Sequence, residues 1–147
     1  AGWLRLSGDN KIDYHDVTKW FLEEVNNNDL RPLWVGYDSW NAQFWCDEMI
    51  ENGFTMEEVR QGYKTEPAPL KQMKADLMDK KINYNNNPIL KWNLSNVVVK
   101  VDDNENIMLS KEKARQRIDG AASLMDAYVI YINRQQEYLN YISEEVN

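Results

Sequence analysis

Leu33-Trp34-Val35-Gly36-Tyr37-Asp38 reads as a short buried strand that delivers an aspartate at its C-terminal end. That reading decides the fold class. Strands set among helical patterns make an α/β or α+β chain, here with more helix than strand, and open α/β sheets place ligands beyond the carboxyl ends of their strands. Upstream, Asp13 caps a helix whose apolar positions Val17, Trp20, Phe21 and Val25 recur at helical spacing until Asn26-Asn27-Asn28. Before it, Trp3 to Leu6 and Lys11 to Asp13 flank the turn residues Ser7 to Asn10 and predict a hairpin.

Downstream, a helix is predicted from about Asn41 to Asn52, ahead of Gly53. Thr55-Met56-Glu57-Glu58 has the pattern of a capping box and predicts a short helix stopping near Gly62. Pro67 and Pro69 start another, with Leu70, Met73, Leu77 and Met78 on its buried face. After the break at Asn85-Asn86-Asn87-Pro88, Ile89 to Leu94 reads as a helical turn. Val97 to Val101 and Ile107 to Leu109 then flank Asp102 to Asn106 as a hairpin. A long helix beginning after Ser110 carries Ile118, Ala121, Ala122, Met125, Val129 and Ile132 on one face. No linker, repeat or low-complexity tract divides the chain, so residues 1–147 are expected to form a single domain.

A chain of 147 residues buries roughly 70% of its unfolded surface. Its 43% hydrophobic content, with 6 Trp and 8 Tyr, argues against disorder. No apolar run reaches the roughly 20 residues that span a bilayer, no export signal opens the chain, and Cys46 is the single cysteine. A soluble, cytoplasmic setting without a membrane partner is the expectation. The net charge of −7 is unevenly spread: residues 1–66 hold 6 Lys/Arg against 13 Asp/Glu, and residues 67–147 hold 11 of each. The acidic excess lies in the first part, while Lys111, Lys113, Arg115 and Arg117 form a basic run just before Asp119. Such a run either contacts phosphate or is solvated helix surface, and overall acidity keeps backbone-driven affinity for DNA weak.

The chemistry-bearing residues are carboxylates. Asp38, at a strand end, and Asp119, in Arg117-Ile118-Asp119-Gly120-Ala121-Ala122, qualify in type and placement for Mg²⁺ or Mn²⁺, because phosphodiester cleavage needs carboxylate oxygens converging from different elements. Gly120, Ala121 and Ala122 would let the helix approach a strand closely. The plain alternative makes Asp38 a helix cap and Asp119 a solvated helix residue. Asp126 follows Asp119 by two helical turns, roughly 10 Å away, and is an auxiliary ligand or a polar residue at the buried edge. Asp13 is a cap before it is a third ligand. Trp40, Phe44 and Trp45 read as core aromatics rather than base-stacking ones, His15 as surface, and Cys46 as a buried thiol. The phosphate-cradling pattern G-x-x-x-x-G-K-[ST] and the dinucleotide pattern G-x-G-x-x-G are both absent from the chain, which removes their chemistry from it.

Asn87-Pro88-Ile89-Leu90-Lys91-Trp92, then Ser95-Asn96-Val97-Val98-Val99-Lys100, Lys111-Glu112-Lys113 and Arg117-Ile118-Asp119-Gly120, together resemble the C-terminal nuclease region of tailed-phage terminase large subunits. Tyr37 to Ala42 is similar to that family's earlier acidic motif, and Val59-Arg60-Gln61-Gly62 to the segment after it. The resemblance implies an α/β, RNase H-like nuclease fold and a metal-dependent endonuclease that cuts concatemeric viral DNA during packaging. Asp38 and Asp119 would be two of its metal ligands, for Mg²⁺ or Mn²⁺. It further implies double-stranded DNA, the portal protein and a small terminase subunit as partners, in the cytoplasm of a bacterial host. The family's ATPase motor motifs are absent here, and no G-x-D-x-S-like segment precedes Trp3. The chain is therefore expected to lack the first central strand and its acid, to be weakly active or inactive alone, and to self-associate through open strand edges. The competing expectation is a non-catalytic module docking on portal, small subunit or capsid; a resolvase or transposase is disfavoured by the Asn87 to Gly120 match.

Overall fold

In a computed structural model, the structure describes residues 3–8, 11–38, 42–60, 62, 64–105, 107–110 and 117–145. They form two compact units, Ala1–Glu58 and Val59–Asn147.

The first unit is a helix followed by a β-α-β element. Helix α1 (Tyr14–Asn28) starts where the Asp13 side chain accepts a hydrogen bond from the His15 amide, and ends where Asp29 turns left-handed at φ 50°. Strand β1 (Val35–Tyr37), helix α2 (Gln43–Glu51) and strand β2 (Met56–Glu58) follow. The strands pair in parallel, Val35 opposite Met56 and Tyr37 opposite Glu58, with α2 as the crossover that parallel pairing needs. Val35, Cys46 and Met49 are buried, and Phe21 packs edge-on to Phe54 at 5.9 Å and tilted to Trp45 at 6.0 Å.

Three expectations for this unit are overturned. Residues 3–8 and 11–13 form no strands; instead they lie along α1 through side-chain bonds. Arg5 pairs with Glu23 at 2.5 Å, while the Ser7 hydroxyl donates to Asp16 at 2.7 Å and accepts from the Asp13 amide at 3.0 Å. Gly8 turns the chain at φ 60°, where a Cβ would collide with the Lys11 carbonyl oxygen. Thr55 to Glu58 opens no helix either. The Val35 amide donates to the Thr55 carbonyl at 2.8 Å, and the ladder that begins there satisfies backbone groups in a row, which outweighs a local capping pattern. Phe44, read as core, is 89% exposed.

The second unit is helical around a small hairpin. Helix α3 (Pro67–Met78) begins at its prolines; α4 (Pro88–Ser95) is capped by Asn87, whose side chain accepts from the Ile89 and Leu90 amides. Strands β3 (Val99–Val101) and β4 (Ile107–Leu109) pair antiparallel as predicted, Val99 opposite Leu109. Helix α5 (Asp119–Asn133) is the centre: it packs on both α3 and α4, and buries Ala121, Ala122, Met125, Tyr128, Val129 and Ile130. The predicted α3 face is right at Leu70 and Met73 but not at Met78, which is 74% exposed at the helix end. The long terminal helix is two elements. Arg134 closes α5, and α6 (Gln135–Glu145) follows.

A buried polar knot ties α3 to α5. The Tyr128 hydroxyl donates to Asp76, which also accepts from Gln72 at 3.0 Å and pairs with Lys81 at 3.2 Å. The Tyr128 hydrogen bond, with help from Lys81 and Gln72, holds the Asp76 carboxyl below its ordinary value, whereas burial and the same bond push the Tyr128 phenol up. No described helix is long and apolar enough to cross a membrane.

Candidate functional site

Asp38 follows the last residue of β1 and is half-buried. The parallel ladder below it sets where its backbone emerges. Behind the strand, the Tyr37 phenol shares a hydrogen bond with Cys46 on α2, which together with burial pushes it up to about 12, so the strand end is tied to its crossover helix. Cys46 is the buried free thiol that the sequence predicts.

Asp119 is the first residue of α5 and is exposed. A helix leaves its first amides without intrahelical partners, and a Ser, Thr, Asp or Asn before the helix normally supplies one. Here that position is the buried Ile118, with no side-chain bond to offer. The acceptor comes instead from α4: the Gly120 amide donates to Asn93 Oδ1 at 3.0 Å. Asn93 is 5% exposed, and its Nδ2 donates to the Ile89 carbonyl one turn back. Asn96 Nδ2 donates to the Arg117 carbonyl at 3.1 Å. Two side-chain amides, Asn93 within α4 and Asn96 at its C-terminal cap, therefore grip the chain on either side of Asp119. A Cβ on Gly120 would lie 3.4 Å from Asn93 Cγ and 3.6 Å from Leu90 Cδ1, at the near edge of ordinary contact. The small residue at 120 thus serves a close approach to helix α4, not to a strand as its sequence context suggested.

The other predicted residues fall as follows. Asp126 sits on α5 two turns beyond Asp119 and on nearly the same helix face; it is 8% exposed, whereas Asp119, at the open start of the helix, is exposed. Arg117 is exposed. Lys111, Lys113, Arg115 and Trp40 lie outside the described residues. Asp38 belongs to the first unit and Asp119 to the second. Among the described residues no group of three or more His, Cys, Asp or Glu side chains comes close enough to hold a metal ion. His15 is on the surface as expected, though its Nδ1 lies 2.9 Å from Glu48 Oε1.

Sequence reasoning missed Asn93. Its signal was present: an amide in the middle of the apolar run Ile89, Leu90, Trp92 and Leu94, where asparagine is a poor helix former and needs a separate reason.

Residues 2–135 match the family of the terminase large subunit, endonuclease domain. The chain is similar to protein YmfN of Escherichia coli strain K12, 26% identical over 130 residues, which cover 86% of this chain and 28% of that protein. It also superposes on the crystal structure of the HK97 bacteriophage large terminase with a TM-score of 0.77 at 23% identity, over 87% of this chain and 27% of that one. That structural likeness establishes the fold, RNase H-like and helix-rich with few strands. The chain thus spans between a quarter and a third of the length of the proteins it matches. With the family match running almost from end to end, this chain belongs to the terminase large subunit endonuclease domains.

Proposed function

We propose that this chain is part of a metal-dependent DNA endonuclease that cuts concatemeric viral DNA during genome packaging, with Asp38 and Asp119 as metal ligands. The observation that carries the proposal is the placement of Asp119: a solvent-facing carboxylate at the first turn of a buried helix, gripped from α4 on both sides. Structural acids elsewhere in the chain, such as Asp76, are instead surrounded by donors.

The donor chemistry of the two acids fits an oxygen-preferring divalent ion, Mg²⁺ or Mn²⁺, since magnesium is commonly held by one or two carboxylates together with water and substrate phosphate. Such an ion, when bound, supplies Lewis-acid polarisation of a phosphoryl oxygen and a more acidic water. Asp38 offers its carboxylate from a strand end and Asp119 from a helix start, with Asp126, two turns further along the same helix, as an auxiliary ligand. Lys111, Lys113, Arg115 and Arg117 supply positive charge for the DNA backbone next to Asp119. Double-stranded DNA is the substrate, portal protein and small terminase subunit are the partners, and the bacterial host cytoplasm is the setting. Cleavage is expected from the longer polypeptide that carries this chain, and weak or no cleavage from the chain alone.

Mn²⁺-dependent plasmid nicking and linearisation test this. The longer polypeptide is expected to cleave, and Asp119→Asn or Asp38→Asn to reduce the rate by at least about 100-fold, more than is usual for a residue behind the ligands. Undiminished cleavage by Asp119→Asn would overturn the assignment.

A further inference from the structure

We propose that Asn93 is a positioning residue for Asp119, setting the carboxylate's place as a metal ligand by capping α5 from another helix. The proposal rests on the reading of Asp119 as a ligand. Three observations carry it. The residue before α5 is the buried Ile118, which provides no side-chain cap, so among the described residues the acceptor for the first turn comes from another helix. The Gly120 amide, adjacent to Asp119, is bonded at 3.0 Å to an amide oxygen from a helix 27 residues earlier. That amide cannot turn over without losing a second bond, because its Nδ2 is used by the Ile89 carbonyl at 3.0 Å.

The Asn96 contact to the Arg117 carbonyl adds a second tether, so the backbone of Asp119 is held between two fixed points. The Asp119 side chain itself is exposed and gains no placement from packing. Its position is therefore inherited from its backbone, and the backbone's from α4. A carboxylate that must meet an ion within a few tenths of an ångström is sensitive to such a shift.

The test is calorimetric titration of Mn²⁺ alone into the longer polypeptide, at a temperature well below every variant's melting point. Asn93→Ala is expected to weaken Mn²⁺ affinity by about 10-fold or more, the usual range for a group that orients a ligand. Asn93→Asp, which keeps an acceptor facing Gly120 but loses the donor to the Ile89 carbonyl, should restore it in part. Asn96→Ala, which removes the other tether and leaves the buried position intact, should weaken affinity several-fold. Tyr128→Phe, which loosens the same helix without touching its first turn, should leave Mn²⁺ affinity unchanged.

A purely structural role for Asn93 predicts the opposite pattern: lower melting temperatures for Asn93→Ala and Tyr128→Phe alike, with Mn²⁺ affinity unchanged in both. That result would overturn the proposal. If Asn93→Ala fails to fold, Asn96→Ala decides it, and unchanged affinity there counts against it. Asp119→Asn separates the underlying reading. Loss of Mn²⁺ binding in Asp119→Asn with none in Asn93→Ala defeats only the positioning role; unchanged binding in Asp119→Asn defeats the ligand assignment itself, and the positioning role with it.

Discussion

Helices α1 and α5 are each 15 residues long, yet their first turns are built in opposite ways. The start of α1 is closed by its own neighbourhood: Asp13 accepts from His15, and Ser7 bonds both Asp13 and Asp16, all within ten residues of chain. At the start of α5 the Ile118 side chain offers no cap, and the Gly120 amide takes its acceptor from Asn93, in a different helix. The lesson is a division of labour. A locally capped helix has its end defined wherever the helix packs, while a helix capped from elsewhere has its end defined relative to its neighbour. Only the second arrangement fixes the carboxylate at the helix start against the rest of its unit.

The largest effect should come from the body of α5 rather than its start. Met125 is 1% exposed, and Met125→Ala should cost about 2–5 kcal/mol in urea unfolding, by lost burial plus the cavity left behind. A loss below that range would mean that α5 can shift to fill the gap, and so is not rigidly registered. Next, Asn93→Ala leaves the half-buried Gly120 amide without its acceptor and should cost about 1–3 kcal/mol. Asp13→Ala removes an exposed local cap and should cost about 1 kcal/mol. The comparison breaks if the two losses come in reverse order, because the remote cap would then be no more built-in than the local one.

The smallest effects are in pH. His15 is held above its ordinary value of 6.5 by its hydrogen bond to Glu48 and then by that residue's charge. Its contribution is fully present below about pH 6.5 and fades as pH rises through the raised value. The ring is largely exposed, so the change is small, and melting of His15→Gln should show none of it. Asp76 has the opposite sign. Its lowered carboxyl contributes above its ordinary 3.8 and is lost as pH falls through the lowered value, so Tyr128→Phe should flatten the acid limb of the melting curve. Equal acid sensitivity in Tyr128→Phe and the unaltered protein would remove the Tyr128 bond as the cause.

Several elements are legible in the sequence alone. The Asp13 cap, the strand read over 33–37 ahead of Asp38, the proline-initiated α3 and the hairpin read over 97–109 all depend on residues a few positions apart, and each is present, with the strands shortened to 35–37 and 99–101. The elements that differ do so for one reason. Trp3 to Asp13 is patterned like a hairpin and Thr55 to Glu58 spells a capping box, but a more distant partner, Glu23 in one case and β1 in the other, offers those segments better bonds. Gly120 is rightly suspected of allowing a close approach, and only the packing identifies α4 as what approaches.

By itself the sequence determined the helix-rich α/β class, the ordered motifs that tie this chain to the terminase endonuclease domains, and Asp38 and Asp119 as the acids worth naming. The tertiary structure decided that Asp119 faces solvent while Asp126 packs inward, and that Asn93 caps the helix on which both lie. The physical reason is range. Caps, turns and hairpins are satisfied by hydrogen bonds within about ten residues and leave their pattern in the sequence. A bond across 27 residues exists only once α4 and α5 have packed, and packing is set by the whole core at once.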